Sequence, residues 1–243
     1  DSEVLARLAR SKHVVTALAK GALIPFEHAG LVEGRMYLVR GHAEGHSLTN
    51  HLARVRTLRS AKAADIAFHI ADALAPVHEA GLVHGSLSSQ CIIVAGDGRV
   101  AVTDTGLFPA LRPDPLTANE AWGRYPYLAP EQAAGHEPEP ASDVYGIGLL
   151  LHEMLTGQLP HEARDKSSLI FRLTSGEPLP PLALPNEVPA ALEQILRRAL
   201  APEPHVRYRH AGQLANLLSL QVTPTPAAEH IRTQESDSAS TWR

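Results

Sequence analysis

The sequence predicts an α+β fold, a small helix-and-hairpin region followed by a larger helical one, and three observations carry that prediction. Residues 2–19 and 60–80 set apolar side chains at helical spacings. RMYLVR (35–40), CIIV (91–94) and VAVT (100–103) are short β-like runs beside turn residues. After residue 140 the periodic segments are helical, separated by proline-rich links.

Taken in order, Leu5, Leu8, Val15 and Leu18 share one face of the first segment, with Ser2 as a candidate N-cap and Gly21 just past the end. The runs at 22–30 and 35–40 flank Val-Glu-Gly, which predicts two antiparallel strands. Residues 41–50 (GHAEGHSLTN) break the pattern. Ile66, Ile70, Leu74 and Val77 then mark a long core-facing helix that stops at Gly81. Ala-Gly-Asp-Gly between the two runs at 91–94 and 100–103 predicts a hairpin. From Gly106 to Glu131, five prolines and little periodicity predict a long, partly ordered loop. Helices are expected at 142–156, 189–200 and 210–220, and the polar residues 223–240 are expected to be disordered.

Composition removes several classes of function. Of 243 residues, 44% are hydrophobic, enough for a sizeable core, and a net charge of −4 supplies no basic field for nucleic acid. The single cysteine, Cys91, can form no internal disulfide, which fits a reducing cytoplasm. No apolar run approaches a membrane span, so any membrane attachment is expected through segments outside residues 1–243. His42, His46 and His51 are spaced poorly for zinc and are assigned to a solvated surface.

Five short motifs in order sharpen the fold. They are LVHGSLSSQCIIV (82–94), VTDTGLF (102–108), YLAPEQ (127–132), SDVYGIGLLLHEMLTGQLP (142–160) and LRRALAPEPHVRY (196–208). Together they resemble the catalytic loop, the D-F-G segment, the A-P-E element and the following helices of bacterial Ser/Thr protein kinases. The resemblance implies a kinase-like fold, mainly the helical C-lobe, with a truncated N-lobe holding helix αC and a β-hairpin. It implies a partial N-lobe at 1–40, a C-lobe at 41–221 and a tail or linker at 222–243. The Gly-rich loop and the strand bearing the phosphate-pairing lysine have no counterpart in residues 1–243.

Carried over residue by residue, the resemblance puts Ser86 where the family has its catalytic Asp, Ser88 where it has a lysine and Cys91 where it has the metal-binding Asn. A hydroxyl accepts no proton near neutral pH, and a thiol is a poor magnesium ligand. Ser11 aligns with the αC glutamate. Asp104 is retained, either as a residual magnesium ligand or only to hold loop backbone. Arg40 falls at the gatekeeper position beside the vestigial nucleotide site, where it fills the pocket, demands a partner or reaches to solvent. Thr105 replaces the D-F-G aromatic, Gly85 replaces an arginine, and Arg124 stands where a Thr is usual. His84 is read as a packing residue, Glu131 and Arg207 as a buried ion pair, and Asp143 as the anchor of the catalytic-loop backbone.

The expectation is a catalytically inactive kinase homologue, a pseudokinase that regulates or scaffolds by binding proteins and holds no cofactor. The alternatives are a divergent active Ser/Thr kinase, or a nucleotide sensor holding ATP and magnesium. Thr117, Thr223, Thr225 and Thr233 are candidate phosphosites. Expected partners are a related active Ser/Thr kinase and a forkhead-associated domain that would read the phosphorylated tail.

Overall fold

In a computed structural model, residues 2–19, 22–33, 35–111, 124–161, 165–176 and 179–222 are described. Helix α1 (Ser2–Leu18) precedes strand β1 (Leu23–Ile24), and strands β2 (Phe26–Val32) and β3 (Arg35–Arg40) form the expected antiparallel hairpin. Leu8 and Phe26 are buried together with Ala110, and Leu5 and Leu38 pack at the edge of that cluster. The amphipathic face of α1 thus covers one face of the hairpin.

Strand β4 (His46–Ser47) leads into helix α2 (Leu48–Val55), whose N-cap Ser47 accepts the Asn50 N–H. Helix α3 (Ser60–Glu79) follows, then the hairpin of β5 (Ile92–Val94) and β6 (Val100–Thr103). The sheet order is β1-β6-β5-β4, with β1 parallel to β6 through Leu23 opposite Val102. A strand from the N-terminal forty residues is therefore hydrogen-bonded into the sheet of the helical region.

The remaining helices are α4 (Leu107–Leu111), α5 (Pro130–Ala133), α6 (Pro140–Thr156), α7 (Lys166–Thr174), α8 (Ala190–Ala199) and α9 (Ala211–Ser219). Almost every residue of α6 is buried, as a helix apolar on all sides requires, and it ends at Gly157 with φ of 76°. The main core gathers Ile66, Ile70 and Leu74 of α3, Leu149 and Met154 of α6, Leu196 of α8 and Leu214 of α9. No helix among the described residues is long and apolar enough to cross a membrane.

Four helices lie where the sequence predicts loop or nothing, among them the single turn α5, which starts at the end of the predicted long loop. α2 buries only Leu48 and Leu52, and α7 only Leu169 and Leu173, so each offers two apolar anchors, too few to establish a period. α4 is a single turn inside the predicted long loop. The link from α2 to α3 holds an unusual backbone. Arg56 has φ 64° and ψ −55°, and the Thr57 N–H donates to Val55 O at 2.8 Å, a γ-turn of the strained, left-handed kind. Leu58 N–H donates to Met154 O at 2.7 Å and fastens this turn to α6.

Candidate functional site

The segment 84–91 is held from beneath by Asp143 on α6. Its carboxylate accepts the His84 N–H at 2.7 Å and the Gly85 N–H at 2.8 Å. His78 of α3 lies against the same carboxylate at 2.9 Å, and its Nδ1 accepts the Ala211 N–H at 3.0 Å, so Nε2 is the donor. Burial alone would raise the Asp143 pKa, yet the His78 hydrogen bond and the backbone donors hold it below the usual carboxylate range. His84 is buried, donating from Nε2 to Thr103 O at 2.9 Å and accepting the Ser86 N–H on Nδ1 at 3.3 Å. Both ring nitrogens are committed, in line with a packing residue.

Gly85 has φ of 74°, and a Cβ there would meet Phe108 and Pro138 at 3.0 Å. A longer side chain at this position would have to displace Phe108. Thr105 is buried, and its hydroxyl finds no hydrogen-bond partner among the described residues. Phe108, three residues on, supplies the apolar bulk beside Gly85.

Within this loop, Ser86, Ser88 and Cys91 are all buried. The Cys91 thiol lies 3.6 Å from Ser86 O, 3.4 Å from Ser88 Oγ and 3.8 Å from an oxygen of Asp104. Asp104 has φ of 67°, a left-handed conformation uncommon for a non-glycine residue. Its carboxylate is held from two sides, by Arg40 Nη1 at 3.0 Å and by Arg124 Nη2 at 2.5 Å. Arg124 also donates to Ser86 O at 3.4 Å. Burial would push the Asp104 pKa up; the Arg124 hydrogen bond and charge outweigh it and hold the carboxyl below its usual range, with Arg40 adding to the effect. Ser11 on α1 donates to Gly106 O at 2.7 Å, so a neutral hydrogen bond fastens α1 to the start of the following segment.

Glu131 and Arg207 meet as the sequence suggests, with two parallel bonds of 2.8 and 2.9 Å. Arg207 also donates to Ala141 O, Ala201 O and Pro202 O, and its guanidinium lies 4.7 Å from the Tyr145 ring centroid. Burial opposes ionisation of Glu131, but Arg207 and Ser142 hold its pKa down.

Two features were missed from sequence. His78 stands four residues after Leu74 on the buried face of α3, and a titratable residue in that register was the available signal. The second is a chain of hydroxyls, Thr49 to Ser89 at 2.8 Å and Ser89 to Tyr127 at 2.7 Å, with Tyr127 donating to Glu153 at 2.8 Å. Burial raises the Tyr127 and Glu153 pKa values. Thr117, Thr223, Thr225 and Thr233 lie outside the described residues. Among the described residues no group of three or more His, Cys, Asp or Glu side chains could hold a metal ion.

Residues 1–217 match the family described as protein tyrosine and serine/threonine kinase. The chain belongs to the protein kinase family. It is 32% identical over 216 residues to a probable serine/threonine-protein kinase PknB of Lactococcus lactis, an alignment that covers 88% of this chain and 34% of that protein. Serine/threonine-protein kinase PknH of Mycobacterium tuberculosis is 31% identical over 237 residues, covering 95% of this chain and 38% of the relative. PknA of the same species is 34% identical over 189 residues, covering 77% of this chain and 43% of the relative. This kinase-family chain thus spans less than half the length of these curated relatives.

Proposed function

We propose that this chain is a kinase-fold protein that transfers no phosphate and acts by binding other proteins. The carrying observation is the clamp on Asp104: two guanidinium groups occupy the carboxylate oxygens that a magnesium ion would need. The family chemistry calls for ATP with magnesium, an ion that prefers oxygen ligands. Of the carried-over positions Ser86, Ser88, Cys91 and Asp104, only Asp104 is a carboxylate, and Cys91 offers sulfur where the ion prefers oxygen. Ser86 and Ser88 are neutral. These residues do not fit a magnesium nucleotide.

On this reading the ion pair Glu131–Arg207 and the anchor Asp143 preserve a platform, while the tail threonines Thr223, Thr225 and Thr233 are addresses that a related active kinase could phosphorylate and a forkhead-associated domain could read. Radiolabelled ATP with magnesium and generic peptide substrates tests the loss of catalysis, with thermal melts in the same buffers reporting binding. No label incorporation and no magnesium-dependent rise in melting temperature are expected. Incorporation abolished by Asp104→Ala would establish a divergent active kinase instead.

A further inference from the structure

We infer that Arg54, Arg56 and Arg59, with the groove beside them, form a docking site for a phosphorylated segment of a partner protein that carries aliphatic residues next to its phosphate. This rests on the protein-binding part of the proposed function and not on the loss of catalysis.

Arg54 lies in the last turn of α2 and Arg56 and Arg59 in the link to α3, and all three are exposed. None makes an ion pair or side-chain hydrogen bond among the described residues. Other surface cations are paired, Arg7 with Glu3, Lys62 with Asp65, Arg99 with Asp97 and Arg197 with Glu193, and the exposed ones elsewhere that are unpaired among the described residues, Arg10, Arg172 and Arg209, stand singly in the sequence. Three guanidinium groups carried within six residues, without carboxylate partners, attract a multiply charged anion, and their planar forks match phosphate oxygens two at a time. The backbone supports the same reading. Arg56 sits in the left-handed turn described above, where glycine would be the easiest residue, and the link is fastened to α6 through Leu58. The turn therefore presents a long cationic side chain from a fixed point.

Adjoining the turn is a groove of about 290 Å³ lined in part by Thr57, Leu58, Leu155, Leu184 and Val188. Val55 beside it is 47% exposed. A half-open groove that mixes leucine and valine side chains with Ser60 and Thr156, beside a cationic rim, suits a peptide with aliphatic side chains flanking the charged residue better than it suits a flat lipid surface or a nucleic-acid backbone. Glu187 also lines the groove and would repel a phosphate placed inside it, which directs the phosphate to the arginine end.

The test uses the full chain, without nucleotide, and fluorescence anisotropy of a labelled peptide bearing two phosphothreonines flanked by leucines, beside its unphosphorylated twin. The phosphopeptide should bind about tenfold or more tightly than the twin, and weaken as salt rises. Arg54→Ala/Arg56→Ala/Arg59→Ala should remove that difference, the triple Arg→Lys variant should restore part of it, and Leu184→Asp should weaken both peptides. Circular dichroism and melting curves check that each variant is folded. Equal binding of the two peptides, or an unchanged triple-alanine variant, overturns the inference. So does sedimentation of the chain with phosphatidylserine vesicles in the absence of any phosphopeptide preference. Kinase activity found in the separate assay would leave this result untouched.

Discussion

Two arginine–carboxylate assemblies of similar chemistry sit in opposite surroundings. Arg207 has a side chain with no exposed surface, and its donors are shared among both oxygens of Glu131 and three backbone carbonyls. Arg40 leaves 49% of its side chain in solvent while touching Asp104, and Arg124 approaches the same carboxylate from a site only 12% exposed. The first assembly ties α5 to the segment before α9 and has no alternative partner if broken. The second neutralises a carboxylate that is itself only 15% exposed, and water can replace Arg40 but has little access to Arg124. Burial of the cation, not the pairing itself, separates a fastening from a charge adjustment.

The sharpest way to break this comparison is to remove Arg207. Arg207→Ala strands Glu131 and three carbonyls, and should lower unfolding stability by about 3–5 kcal/mol in urea titrations. Replacing both partners with apolar residues, Glu131→Met with Arg207→Met, should recover part of that loss; full additivity of the two single changes would count against a coupled pair.

Acidification probes the neighbourhood of the same assembly. His161 is hydrogen-bonded to the Tyr145 hydroxyl at 2.8 Å, and burial pushes its pKa from 6.5 down to about 4. Since the folded state disfavours the proton, its contribution is complete above about pH 6.5 and is lost as pH falls toward 4. Stability should drop over that window by on the order of 2–3 kcal/mol, and His161→Gln should flatten it. An identical pH profile for the variant would contradict this placement.

Changes at the second assembly should be milder. Asp104→Asn should cost about 1–2 kcal/mol at neutral pH, measured by the same titration, because its two arginines keep access to solvent or to Ser86 O. Arg40→Ala should cost about 0.2–1 kcal/mol and less at high salt. If Asp104→Asn proved as damaging as Arg207→Ala, the distinction drawn from burial would fail.

Much of this architecture was legible in the sequence, because the long helices α3 and α6 carry enough apolar positions to reveal a period and the motifs place their ends. Glu131, Arg207 and Asp143 meet the partners that the motifs suggest. The short helices α2 and α7 were not legible, since two buried leucines each specify no periodicity. Nor was the double clamp. Arg40 and Asp104 are 64 residues apart, and Arg40 alone was equally compatible with filling a pocket or reaching solvent; only the fold brings Arg124 to the same carboxylate. The hydroxyl chain from Thr49 to Glu153 was invisible for the same reason, as its four members come from four separate segments.

The bond from Ala211 N–H to His78, and from His78 to Asp143, has a consequence for the order in which the molecule is made. The loop at 84–91 leaves the ribosome long before Ala211 does, and N-terminal regions fold first during synthesis. Until α9 arrives, His78 lacks the donor that sets its tautomer, and Asp143 lacks a partner held in the right state to fix the backbone of His84 and Gly85. A nascent chain halted before α9 would expose an unfinished loop, and its geometry would lock only when translation of α9 is complete.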